Sequence, residues 1–136
     1  MTRLVTQEHT MGCSVACTAF VLGISYKCAL KLFLRPHYAK DRGFYCKDII
    51  SALNKAGRDM EHCYLTKNKS NLVKIPGTIV YIKQSNNYPF GHYLVKAKSG
   101  KWMNPWINYP NIAPAKSGYQ NKLPGKAIYA IFPKSK

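Results

Sequence analysis

Hydrophobic positions change their period about half-way along the chain. In the first half they recur at helical spacing: Val15, Ala16, Ala19, Phe20 and Leu22 form an apolar run that stops at Gly23. A second helical segment is expected from Tyr26 to Leu34, ending at Arg35-Pro36. A third covers Lys47 to Lys55, with Ile49, Ile50 and Leu53 on one stripe and Ala56-Gly57 closing it. The second half is rich in β-branched and aromatic residues punctuated by Pro, Gly and Asn. It predicts strands at Thr78 to Lys83, Tyr93 to Lys98, Lys101 to Asn104 and Lys126 to Phe132. Residues 1–12 read as an extended lead-in, and Pro105 to Pro124, which has no periodicity, as a long surface loop. Helices followed by antiparallel strands predict an α+β fold. With 136 residues, of which 46% are apolar, one compact domain spanning 1–136 is expected.

Charge adds a partner sign. The 21 Lys and Arg outnumber the 5 Asp and Glu, giving +16, which favours nucleic acid, an anionic membrane face or an acidic protein. The basic residues are scattered (Lys27, Lys31, Lys67, Lys69, Lys96, Lys98, Lys101, Lys134, Lys136), and neither an RNA-reading motif nor zinc-finger spacing accompanies them. A solvated lysine-rich surface accounts for that distribution.

The five cysteines, at 13, 17, 28, 46 and 63, are odd in number and confined to the first half, which suits reduced thiols in a cytosol better than a secreted disulfide scaffold. The tight clusters are Cys13-x3-Cys17 and His62-Cys63. Structural zinc favours two-residue spacers and four ligands, and adjacent side chains diverge on a strand, so no metal or cofactor is expected. Met11 to Ile24 resembles the apolar middle of a signal peptide behind Arg3. Glu8 and His9 interrupt its approach, however, and no small-x-small site follows cleanly. Those 14 residues are too short to span a membrane. The expectation is a soluble cytoplasmic chain without a transmembrane segment, with leaderless secretion as an effector compatible.

Cys13 falls at the first turn of the first predicted helix, where unpaired N–H groups and the helix dipole favour thiolate over thiol. Acyl transfer also requires a base, a group that orients it, and donors for the developing oxyanion. Gln7 stands six residues ahead, within reach as an amide donor beside the Cys13 backbone N–H. His9, His37, His62 and His92 are the possible bases, and His92 opens the strand Gly91-His92-Tyr93-Leu94-Val95. A two-residue turn at Ser99-Gly100 puts Asn104 on the face opposite His92. A three-residue turn Lys98-Ser99-Gly100, with Gly100 in the left-handed position, opposes Ala97 to Lys101 and His92 to Trp106 and brings Asn104 to His92's face.

Plainer roles exist for each residue. Cys13 suits a small buried helix residue, and Cys17, one turn on, a core position. His92 suits a satisfied strand residue, Asn104-Pro105 a turn start, and Trp102 and Trp106 core and rim aromatics. His9 is a substrate contact or a rival base.

Together, Q-E-H-T-M-G-C-S-V-A-C, G-H-Y-L-V and N-P-W resemble the papain-like cysteine peptidases, and most closely the peptidase C39-like group. That group often shows Q-x4-D-C-G-x-A-C, G-H-Y/F-apolar and D-P. The resemblance spans residues 7 to about 106 and departs at Gly12 for Asp, Ser14 for Gly and Asn104 for Asp. It implies a papain-like fold and a thiol hydrolase acting on a protein or peptide. In that reading Cys13 is the nucleophile, His92 the base, Asn104 its orienter, Gln7 an oxyanion donor and Trp106 a shield over the Asn-His pair. Glutamine deamidation, isopeptide cleavage and acyl transfer use the same machinery. Two other classes stand beside it: a non-catalytic basic module holding nucleic acid or an acidic protein, and a redox or zinc protein built on Cys13, Cys17 and His9.

Overall fold

A computed structural model describes residues 3–86, 88–111 and 114–134. Four helices come first: α1 (Cys13–Leu22), α2 (Tyr26–Leu30), α3 (Tyr38–Asp41) and α4 (Cys46–Lys55). Then follow β1 (Met60–Tyr64), a 3-10 helix (Lys67–Lys74), β2 (Ile79–Ile82), β3 (His92–Lys96), β4 (Trp102–Asn104), β5 (Gly118–Gln120) and β6 (Ala127–Pro133). The strands form one antiparallel sheet in the order β1-β6-β2-β3-β4-β5. The α+β layout with N-terminal helices and a C-terminal antiparallel sheet is as expected.

α1 is apolar on nearly every side, so it is buried nearly all round, with Val15, Ala16, Cys17, Ala19 and Phe20 in the core. It packs on β3, with α4 and α2 against its flanks. α4 is amphipathic and buries Ile49, Ala52 and Leu53. Its first turn is tied by the Tyr45 N–H donating to Asp48 Oδ2 at 2.8 Å.

Alternation along the strands divides the core. Ile79, Tyr93, Val95, Met103 and Ile131 meet the helices, whereas Val80, Ile82, Leu94, Trp102 and Ala130 pack on the other face beneath Leu65, Val73, Tyr109 and Leu123. The β3–β4 hairpin takes the three-residue turn: the Ala97 N–H donates to Lys101 O at 2.9 Å, and Gly100 has φ +89°. Val95 faces Met103 and Lys96 faces Trp102.

Several elements differ from expectation. The second helical segment ends at Leu30 instead of Leu34, giving way to turns and the short α3. β1 and the 3-10 helix were not anticipated, and β5 lies inside the segment read as loop. Both unexpected strands are sheet edges: β1 carries the exposed Glu61, His62 and Tyr64, and β5 is three residues long. Half-exposed edges lack the apolar alternation by which a strand is recognised. No described helix is long and apolar enough to cross a membrane.

Candidate active site

The start of α1 is built by the turn before it. The Gly12 N–H donates to His9 O at 3.0 Å, and Gln7 Nε2 reaches His9 O at 2.9 Å and Thr10 O at 3.2 Å. The Gln7 N–H donates to Pro105 O, binding this lead-in to the segment after β4. Gly12 has no room for a side chain, since a Cβ there would lie 1.9 Å from the Tyr26 hydroxyl. That hydroxyl pairs with His9 Nδ1 at 3.0 Å. α1 has no side-chain N-cap, leaving its first-turn N–H groups for other partners.

Cys13 is half-buried at this turn. Burial pushes its thiol up to about 11, while the backbone N–H groups of Tyr93, Ser14 and Cys13 itself pull the other way. α1 packs on β3, and Cys13, His92 and Tyr93 line one cleft.

Gly91 shapes that strand start. It has φ +78°, and an added Cβ would lie 2.0 Å from the Tyr81 hydroxyl, which donates to Phe90 O. His92 follows with its ring stacked on Tyr88, centroids 4.1 Å apart and planes 6° from parallel. Its Nε2 lies 2.7 Å from Asn104 Oδ1. Burial lowers the imidazole to about 4, against the opposing pull of the Asn104 bond.

Asn104 is held on every side. Its Oδ1 also accepts from the Trp106 N–H at 3.0 Å, and its Nδ2 donates to Tyr88 Oη at 3.0 Å and Gln120 Oε1 at 2.8 Å. Trp106 is buried, and its indole N–H donates to Asn111 O.

A cleft of about 750 Å³ joins these parts, lined by Cys13, Ser14, His92, Trp106, Tyr88 and Tyr93 among others. The sequence-derived residues thus fall into two groups. Cys13 and His92 share the cleft, with Asn104 behind His92. Gln7 is buried and directs its amide nitrogen at its own turn, not among the cleft-lining residues. Gln7 Oε1 and Ser14 Oγ are buried without a hydrogen-bond partner among the described residues. Of the other histidines, His9 is paired with Tyr26, His37 packs edge-on against Tyr38, and His62 lines the cleft from β1. Tyr88 and Gln120 were missed in the sequence; the only trace of the first is its place in Tyr88-Pro89 just ahead of Gly91-His92.

Two solved structures share this architecture. One is the peptidase domain of Streptococcus ComA, described as a bi-functional ABC transporter involved in a quorum sensing pathway. It aligns with TM-score 0.60 and 19% identity over 98% of this chain and 100% of its own. The fold is that of C39-like, papain-like peptidase domains. The second, a double glycine motif protease from an AMS/PCAT transporter in complex with the leader peptide, aligns with TM-score 0.57 and 15% identity over 98% of this chain and 93% of its own. No protein-family model and no curated protein sequence matches the chain. In this fold the helix that starts at Cys13 packs on the strand that starts at His92, and both residues line the cleft.

Proposed function

We propose that the chain is a thiol hydrolase that cleaves an amide bond of a protein or peptide through Cys13, His92 and Asn104. The observation that carries this reading is the 2.7 Å bond between His92 Nε2 and Asn104 Oδ1, beside a cleft shared with a cysteine at a helix N-terminus. With Asn104 Oδ1 accepting, Nε2 carries the proton and Nδ1 is the basic nitrogen.

Burial favours the neutral form of both groups, raising the thiol and lowering the imidazole. Proton transfer from Sγ to Nδ1 therefore accompanies attack on the carbonyl carbon. The C–S bond forms, the carbonyl π pair moves to oxygen, and first-turn N–H groups of α1 stabilise that oxyanion. The imidazolium then protonates the leaving amine as the C–N bond breaks. Water, deprotonated by Nδ1, releases the acyl group and restores the thiol. Gln7, with its amide nitrogen bonded to His9 O and Thr10 O, braces the turn that presents Cys13. Trp106 closes the Asn104 side of the pair from water.

Peptide hydrolysis is the outcome favoured by the likeness to peptidase domains. Deamidation and transfer to an amine follow from the same acyl-enzyme when the substrate or acceptor differs. Iodoacetamide labelling, mapped to individual cysteines by peptide mass, tests the pair. Cys13 is expected to react in the unmodified chain and at least about tenfold more slowly in His92→Ala. Equal rates would overturn the reading.

A further inference from the structure

Four tyrosines stand in one row across four strands. Tyr64 of β1 pairs with Tyr129 of β6, Tyr129 with Tyr81 of β2, and Tyr81 with Tyr93 of β3, each as directly opposed residues. Opposed residues share a sheet face, and the rings follow one another with centroids 5.6, 6.3 and 5.0 Å apart. The inner end of the row, Tyr93, lines the same cleft as Cys13. Exposure grows outward: Tyr93 is 5% exposed, Tyr81 half-buried, Tyr129 38% and Tyr64 60% exposed. The inner hydroxyls are held by Phe44 O and Phe90 O, whereas those of Tyr129 and Tyr64 have no partner among the described residues.

Cross-strand stacking by itself stabilises a sheet, but such rings are ordinarily covered. Tyr129 and the half-buried Tyr81 instead line the cleft that holds Cys13, with the buried Tyr93 at its inner end, and Phe90 and Tyr45 are exposed in the same cleft. Arg42 and Lys47 line the cleft as well, and among the described residues no Asp or Glu does. A chain of net charge +16 with an aromatic floor and a cationic rim selects against basic ligands.

We infer that the tyrosine row is the binding floor for an extended substrate segment carrying aromatic side chains interleaved with carboxylates. The ring-to-ring steps cover about five residues of extended chain at roughly 3.4 Å each. Aromatic side chains of the segment lie over Tyr129 and Tyr64, and its carboxylates reach Arg42 and Lys47. Because the row crosses the strands, rings hold the segment and no sheet edge is extended. This inference rests on the thiol-hydrolase reading only in placing the scissile bond at the Tyr93 end.

The test uses the Cys13→Ala chain, which cannot turn over substrate, and fluorescence anisotropy with three fluorescein-labelled octapeptides. One alternates Phe and Glu, one has Gly for each Phe, and one has Lys for each Glu. The first is expected to bind about tenfold more tightly than either other. Tyr64→Thr and Tyr129→Thr, which keep strand propensity, each weaken it about threefold or more while iodoacetamide labelling of an intact Cys13 is unchanged. Equal affinity for the three peptides, no binding of the first, or indifference to the tyrosine substitutions would each overturn the inference. If this pattern holds while Cys13 labelling ignores His92, the thiol-hydrolase reading alone fails.

Discussion

Asn104 holds the imidazole of His92 with an amide whose every hydrogen-bonding position is occupied. Its orientation is forced by its neighbours: Tyr88 Oη donates to Trp106 O at 2.9 Å, and Gln120 Nε2 donates to Lys122 O at 2.7 Å. Tyr88 Oη and Gln120 Oε1 are therefore left as acceptors and require the Asn104 Nδ2 hydrogens.

Asn104→Asp, although isosteric and matching the residue common in the C39-like pattern, sets a carboxylate oxygen against two acceptors. It is expected to destabilise the fold by about 2 kcal/mol or more and to raise the His92 pKa. Urea denaturation at pH 7 and the histidine NMR titration check both. An Asp variant as stable as the parent would mean that Gln120 or Tyr88 reorients freely.

Stability should depend on pH through the two cleft groups. Folding lowers His92 from 6.5 to about 4, so the unfolded chain binds more protons in that window and stability falls as pH drops through it. The full effect is about 3 kcal/mol. Folding raises Cys13 from 9.0 to about 11, so its contribution is present below 9 and is lost as pH rises toward 11. A plateau between roughly 6.5 and 9 is expected in urea midpoints. In His92→Gln the acid limb should flatten; an unchanged limb would assign it elsewhere.

Gly12 and Tyr26 are coupled by contact. Gly12→Ala meets the Tyr26 hydroxyl and should cost about 2 kcal/mol or more. Tyr26→Phe removes the clashing oxygen, leaving the ring carbon 3.0 Å away, so the double variant should recover part of that loss. A double-mutant cycle measures the coupling, and strict additivity would show that the turn moves as a whole.

Ser14 carries a buried hydroxyl without a partner among the described residues. Ser14→Ala removes that unpaired group and improves helix propensity, so stability should rise by about 1 kcal/mol. A lower urea midpoint would show that the hydroxyl is satisfied in solution.

Legibility in the sequence followed burial. β2, β3, β4 and β6 lie inside the sheet, and their apolar and aromatic residues were recognisable; β1 and β5 are edges, each paired with a single strand, and read as polar. The hairpin register was recoverable because Gly100 marked the turn, and register alone brought Asn104 to His92. The orientation of Gln7 was not recoverable. It depends on where the carbonyls of His9 and Thr10 point, which six-residue spacing does not encode. Tyr88 and Gln120 were hidden for a related reason, since one reaches Asn104 from a loop and the other from an edge strand.

The position of β6 governs the order of assembly. It is the last strand along the chain, yet it sits between β1 and β2. During synthesis β1 has no neighbour to join until residues 127–133 leave the ribosome, and the row from Tyr64 to Tyr93 is broken at Tyr129 until then. α1 and the β2–β3–β4 meander precede β6 along the chain, so the helix and strand that carry Cys13 and His92 are made before the outer cleft. Emergence of β6 is thus what joins Tyr64 to the inner tyrosines through Tyr129.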